Sequence, residues 1–527
     1  MPWSNGSVRL SSFVIKPIGL LISVAFTAGV ALGPVGLFVA PALLLLFTAV
    51  KGESFGSYAT FGRILFALTL CSLLGIGRGM MVDAPNGTGN LSGSDGGEGV
   101  VVGLPQAGSS GERVLVAVDK MTFGDGSEHV VDRNVLAFLP PASAVNVGDR
   151  LALVWSYETL ESLPPGFGPY ARNQAAEGVV RVWVVDILET GSSPLRTFVD
   201  ARRAVSKRLE SLIPGDAGAL AAGIVTGDDS RLSDAVRDAF LQTGTSHITA
   251  VSGQNVAILI GLVYLVLRTR RRKRMIVVQV GILALVWAYT LFAGFNPPSV
   301  RAALFVTMVL FAGRFGRRPD IATVLSFTTA LMLLFDPGYV HSVSFWLSIV
   351  SSAALVTCIS LETEMGLKRT LQAIALPLVA AQLATIPITI GTFGMWSVGS
   401  LIANALVAPL ITFAFPVTFV LAMVAFAAPG LAPYIAWIPA AILQMVVAIV
   451  ERVAVTFPTL NLDAIGSPII MAMIIPCLIG IALLSVDARR WGERLVDSAR
   501  RAPMSFALGA AGLILGAMAT MLIEIFA

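Results

Sequence analysis

From Gly218 onward the chain is a near-unbroken succession of apolar stretches, and this limits what it can fold into more than any other feature. Segments near 247–267, 275–293, 298–313, 321–335, 341–360, 371–393, 398–425, 431–455, 467–485 and 503–525 have the reach of bilayer-crossing helices, which need about 20 residues each. Three more lie near 14–32, 34–50 and 59–77. Charged residues make up 13% of the 527, against about 25% in soluble domains, and mean hydropathy is +0.81. The pattern predicts a polytopic α-helical membrane protein of about 13 spans, some of them interrupted. The start is too long and too repeatedly hydrophobic for a cleaved signal peptide.

Charge then sets orientation. The chain carries a formal +4, and in a membrane protein a basic excess is mostly cytoplasmic loop charge. RTRRRKR (268–274), GRFGRRP (313–319), LKR (367–369) and the basic region 489–501 all fall on one side when the spans alternate. The amino terminus is therefore expected in the cytoplasm, and the carboxyl terminus outside.

Between the first and second sets of spans the composition changes. A Gly/Ser/Asn-rich linker is expected at 81–97, after N-terminal transmembrane helices in 1–80. Residues 98–190 hold five short runs rich in Val and aromatics, such as ERVLVAVDKMTF and EGVVRVWVVDILE, separated by turn clusters GDGSE and NVGD. That predicts an extracytoplasmic all-β domain, OB-like or a sandwich. Residues 193–214 predict a basic amphipathic helix, lying along a membrane surface or packed on the β domain. The transmembrane channel domain is expected over 215–527.

Several function classes drop out. Cys71, Cys358 and Cys477 are scattered in apolar segments, and His129, His247 and His341 are isolated, so no metal-ligand spacing exists. No phosphate-cradling Gly-rich loop with Lys is present. No cofactor, no metal, no catalytic residue and no enzymatic activity are expected, and a motor would have to come from another polypeptide.

The polar residues inside the apolar block carry the functional reading. In TSHITAVSGQNVAILIG (245–261), a helical rotation of about 100° per residue puts Thr245, Thr249, Ser252 and Asn255 on one face. His247 and Gln254 fall on the opposite face, with Gly253 between them. Such groups either bond neighbouring helices or line a water-filled passage, and six within eleven positions favour the passage. AGFNPPSVRAALF (293–305) adds Pro298, Ser299 and Arg301, and the stretch 380–410 adds Gln382, Thr385 and Asn404 with repeated Pro and Gly. Membrane helices broken by polar segments also suit a secondary transporter or exporter of a small or lipid-linked solute, and a scaffold or inactive remnant is the third alternative.

Three stretches in order, LIPGDAGAL, GDDSRL and TSHITAVSG, resemble the core of ComEC-type competence proteins. GFNPPSVRA (294–302, with an extra Pro) and AQLATIP (381–387) continue the likeness, which covers roughly 98–420. The resemblance implies an inner-membrane channel importing single-stranded DNA during natural transformation. It implies a bacterial plasma membrane location, an OB-like outer domain, a cytosolic helicase-like motor and a separate DNA receptor. Many members carry a histidine where this chain has Asn255, and many end in a metallo-β-lactamase-like domain. Here the sequence stops at Ala527 without an H-x-H-x-D-H cluster, so any nuclease is expected from another polypeptide.

DNA would need basic groups. Residues 98–190 hold six Lys or Arg and twelve Asp or Glu, a net −6, so a phosphate chain needs a local strip. Arg113, Lys120, Arg133, Arg172 and Arg181 are candidates there, with Arg202, Arg203, Lys207 and Arg208 on the amphipathic helix.

Overall fold

A computed structural model describes residue 27 and residues 93–108, 111–140, 143, 145–159, 176–249, 251–267, 272–314, 321–359, 367–457 and 459–461. Apart from residue 27, the three N-terminal segments lie outside the described residues, as do the segments at 467–485 and 503–525 and Arg172. The chain divides into two compact units, one comprising Pro85–Val306 and Thr392–Asp463, the other containing Thr307–Gly391.

The first unit begins with a barrel. Its strands are β1 (Ser94–Val101), β2 (Gln106–Gly108), β3 (Gly111–Phe123), β4 (Glu128–Leu139), β5 (Arg150–Thr159) and β6 (Gly178–Glu189). The sheet order is β1-β5-β6-β4-β3-β2, and an added β1–β3 pairing closes five strands into a ring. Closure decides between the two sequence expectations in favour of a barrel, because a sandwich leaves its sheets unjoined. All pairings are antiparallel except β4–β6. Val116, Val118, Val135, Leu151, Leu153, Trp155 and Val180 fill the interior.

β1 starts four residues earlier than the expected β domain, inside the stretch read as linker. Its glycines belong to the strand because the barrel wall is tight there. A Cβ on Gly97 would lie 2.4 Å from the Lys120 carbonyl oxygen and 2.6 Å from the Trp155 ring. The Trp155 indole N–H donates to Ser94 Oγ at 3.1 Å, fixing the same strand from its other end.

The helices follow: α1 (Arg196–Leu212), α2 (Asp216–Thr226), α3 (Asp234–Gln242), α4 (Gly253–Leu267), α5 (Arg272–Phe292) and α6 (Pro297–Arg314). Next come α7 (Ile321–Phe335), α8 (Val343–Ile359), α9 (Leu367–Phe393), α10 (Gly399–Ala427) and α11 (Ala432–Thr456). The predicted span 321–335 coincides with α7, and those at 398–425 and 431–455 differ from α10 and α11 by one or two residues. Among the described residues three stretches are long and apolar enough to cross a membrane: Ser246–Val263, Gly399–Ala427 and Ala432–Thr456. Shorter apolar helices accompany them, among them Ile276–Phe292 and Pro377–Phe393. Between α9 and α10 the chain breaks into a strand, β7 (Met395–Ser397), paired with β8 (Thr459–Asn461).

α2 is the centre of the first unit. Residues Ala217 to Thr226 are all buried, surrounded by Leu209 and Ile213 of α1, Val236 and Phe240 of α3, Val407 and Leu421 of α10, and Leu443 and Val446 of α11. At 11 residues it spans about 16 Å, too short to cross a bilayer and suited to being enclosed.

Candidate functional site

α1 packs on the barrel. Its first half is bonded to the barrel: Arg196 donates to Asp149 at 3.0 Å, and Arg203 grips Glu112 with two bonds of 3.0 and 2.8 Å and also donates to the Val145 carbonyl. Arg202, 8% exposed, donates to the Pro105 carbonyl. Its guanidinium also sits against Gly294, where a Cβ would fall 2.9 Å from Nη1. Burial lowers the Arg202 pKa, with the charge of Asp228 opposing. The second half of α1 is sunk into the helix core through Leu209 and Leu212. The alternative of a helix packed on the β domain is therefore the one the structure shows, and its basic side is used for that packing.

The other basic candidates divide similarly. Lys120 pairs with Glu128 at 2.9 Å, and the hydrogen bond to that carboxylate raises the lysine pKa. Arg133 is buried in an ion pair with Glu177. Arg113 is half-buried, as is Arg208, whereas Arg181 and Lys207 are exposed. A phosphate would have to displace an internal acid to reach Lys120, Arg133 or Arg203.

The segment 245–255 is not one helix. Ser246–Ile248 form a 3₁₀ turn, the chain is irregular around Val251 and Ser252, and α4 begins only at Gly253. The helical rotation assumed from sequence therefore fails across 249–252, yet the two groups of side chains still separate. Thr245, Thr249 and Asn255 are buried. Ser246, His247 and Gln254 are exposed.

The buried group, expected to line a passage, bonds protein instead. The Asn255 amide donates to the Ile224 carbonyl at 2.9 Å and accepts from Ser252 Oγ at 3.2 Å. Ile224 lies in the last turn of α2, where carbonyls have no partner in their own helix, so Asn255 closes that end. Thr249 Oγ1 donates to Asp229 at 2.8 Å, and burial raises the Asp229 pKa against the lowering effect of that bond. Thr245 exchanges a 2.7 Å bond with Thr243. Close approach makes this possible: a Cβ on Gly223 of α2 would stand 2.2 Å from the Thr249 carbonyl oxygen.

The PPS stretch is built into the same network. Asn296 donates to the Val251 carbonyl at 3.3 Å and caps α6 by accepting from the Ser299 N–H at 3.1 Å. Ser299 is fully buried, and Pro298 occupies the first turn of α6, where its missing N–H costs nothing. Arg301 projects from α6 toward α4, its Nη2 2.8 Å from where a Cβ of Gly253 would be. Asn404 of α10 is buried and donates to the Ser400 carbonyl at 2.8 Å within its own helix. Gln382 and Thr385 lie on α9 in the second unit, where Thr385 Oγ1 bonds back to the Ala381 carbonyl at 2.9 Å.

The exposed group forms the remaining candidate surface. Gln254 of α4 donates to Thr412 Oγ1 of α10 at 2.6 Å, and both residues are exposed on otherwise apolar helices, while the exposed Ser246 and His247 lie in the 3₁₀ turn ahead of α4. Thr412, Asp229 and Tyr289, which lies beside Asn255, escaped sequence reasoning because each is isolated in sequence from its partner. The GDD run was the available signal for Asp229.

A family model described as "Competence protein" matches residues 224–487, which is half of the chain. The chain belongs to the competence protein family. The matched region starts in α2 and takes in the whole polar network. ComE operon protein 3 of Bacillus subtilis is 28% identical over 216 residues, covering 40% of this chain and 27% of the relative. Recombination protein 2 of Haemophilus influenzae is 27% identical over 212 residues, covering 38% and 26%. The matched stretch thus spans about a quarter of the length of these relatives. No solved structure matches the competence chain.

Proposed function

We propose that this protein is a multi-pass component of the bacterial plasma membrane that passes single-stranded DNA inward during natural transformation. Membership of the competence family supports the DNA reading, and its relatives' names, ComE operon protein 3 and Recombination protein 2, agree with it. The observation that carries the conduit is the exposed pair Gln254 and Thr412, bonded to one another between α4 and α10, which belong to stretches apolar enough to cross a membrane. Polar side chains at such a place face a hydrated cavity far more readily than lipid.

Orientation rests on two features. Arg202, bonded to the Pro105 carbonyl of the barrel, lies against Gly294 at the α5–α6 turn, and the basic sequences 268–274 and 313–319 flank the opposite ends of those two helices. With the basic ends in the cytoplasm, the barrel is outside and the amino terminus inside. A strand entering against the field costs about 2.3 kcal/mol per charge at 100 mV, so a cytosolic motor must pull it. A nuclease and a receptor on the outer face are separate partners in this scheme.

The test is uptake of labelled DNA into the cytosol of a transformable host whose own copy is replaced by this chain. Gln254→Leu with Thr412→Val, made and inserted normally, should abolish cytosolic DNA while leaving DNA bound outside. Uptake at the wild-type level would refute the passage. Loss of a small solute's transport with DNA uptake intact would favour a solute transporter.

A further inference from the structure

The sixth barrel strand outruns its neighbour. β4 pairs with β6 only from Val135↔Gly178 to Phe138↔Arg181, whereas β6 continues to Glu189 beside β5 alone. Beyond Arg181 its large apolar side chains come into the open: Trp183 is 63% exposed, Val184 51%, Ile187 41% and Leu188 49%, with Val154 of β5 opposite at 50%. Strand ends bordered by water normally carry Lys, Glu or Pro to stay solvated. Here Asp186 and Glu189 are exposed as well, but four large apolar side chains stand among them, and so much open apolar surface marks a face that is covered in use.

Where β6 leads indicates the cover. The next residues are folded back on the start of β5, since the Gly191 N–H donates to Asp149 at 2.8 Å and Arg196 holds the same carboxylate. Leu188 is thereby kept beside the first turn of α1, where Phe198 is exposed. One helical turn further, Arg202 touches Gly294, and adjacent Phe295 is exposed at a positive φ of 54°. Phe295 sits in the turn joining α5 to α6, which is the level where these two helices, read as spans, leave the lipid. Exposed apolar groups therefore step from the end of β6 through Phe198 to that level. Tryptophan concentrates there because its ring is apolar and its N–H is not. The net −6 of residues 98–190 disfavours attraction to anionic headgroups, so contact would be apolar.

We propose that the overhanging end of β6, through Trp183, Val184, Ile187 and Leu188, is seated in the headgroup region of the same bilayer, laying the barrel down on the membrane. The inference rests on α5 and α6 crossing the membrane, and is independent of what the protein transports. The full chain, with Cys71, Cys358 and Cys477 changed to Ala, is placed in nanodiscs after labelling single cysteines with an environment-sensitive dye. Labels go at Trp183→Cys or Leu188→Cys, at Asp132→Cys toward the other end of the barrel, and at Val280→Cys on the exposed side of α5. Lipids carrying a quencher near the headgroup should dim the dye at 183 and 188 at least about twofold and leave 132 unchanged. Dye at 183 and 188 that is unquenched and open to iodide overturns the proposal. So does dye shielded from both quenchers, which means that protein covers the strand. A quencher deep in the acyl chains should dim 280. If 280 stays bright, the span reading fails and the seating falls with it; if only 183 and 188 stay bright, the seating alone fails.

Discussion

Asn255→Leu separates a structural polar residue from a passage-lining one. Asn255 is 2% exposed and holds the Ile224 carbonyl at 2.9 Å and the Ser252 hydroxyl at 3.2 Å. Leucine has similar bulk but returns neither bond. A buried group left unpaired costs about 1–3 kcal/mol, while hydrogen bonds between membrane helices average nearer 0.6 and reach about 2. The carbonyl of Ile224 is enclosed on all sides, and the Ser252 hydroxyl can turn elsewhere, so the sum is about 2 kcal/mol, a factor of about 30 in the folding equilibrium. Gln254→Leu makes the contrasting control, because Gln254 is exposed and should change stability by less than about 0.5 kcal/mol. Reversible unfolding in mixed micelles, titrated with denaturing detergent, measures both. A midpoint for Asn255→Leu equal to wild type, or a larger shift for Gln254→Leu, would refute the division of the polar segment into buried and exposed groups.

Other outcomes follow from the same packing. Gly223→Ala puts a methyl into the Thr249 backbone and should cost about 1–3 kcal/mol, whereas Gly261→Ala, with nothing within 4 Å, should gain up to about 1 kcal/mol of helix propensity; the same micelle titration compares them. Arg203→Ala frees Glu112 and the Val145 carbonyl, and should lower the thermal midpoint and speed proteolysis between barrel and α1, while Lys207→Ala should not. Asp229 has a pKa raised mainly by burial, so the folded state holds its proton more tightly than the unfolded chain. Its contribution is then full below the ordinary carboxylate range and is lost as pH rises through the raised folded value. Asp229→Asn, which can still accept from Thr249, should flatten stability against pH above about 4; an unchanged profile would count against burial as the cause.

Much of the fold was legible because it depends on local pattern. Apolar run length fixed α7, α10 and α11 within two residues, and alternating Val-rich runs marked the barrel. The glycines at 96, 97 and 99 misled because composition alone reads them as linker; only the closeness of Trp155 and β3 makes them strand. The polar segment was legible as a list of residues and not as a geometry. Separating Asn255 from Gln254 requires knowing that α2, some 31 residues away, ends under one and not the other. The engagement of the basic face of α1 by the barrel was hidden for the same reason, since Glu112 lies 91 residues from Arg203.

The manner in which α1 is held has a mechanical consequence. At 17 unbroken residues it is a strut about 25 Å long, clamped in the barrel by Arg196 and Arg203 and wedged among α2, α10 and α11 by Leu209. A tug on the barrel is therefore delivered straight to α2, whose far end is closed by Asn255. Load applied to the barrel reaches Asn255 without passing through any loop long enough to absorb it.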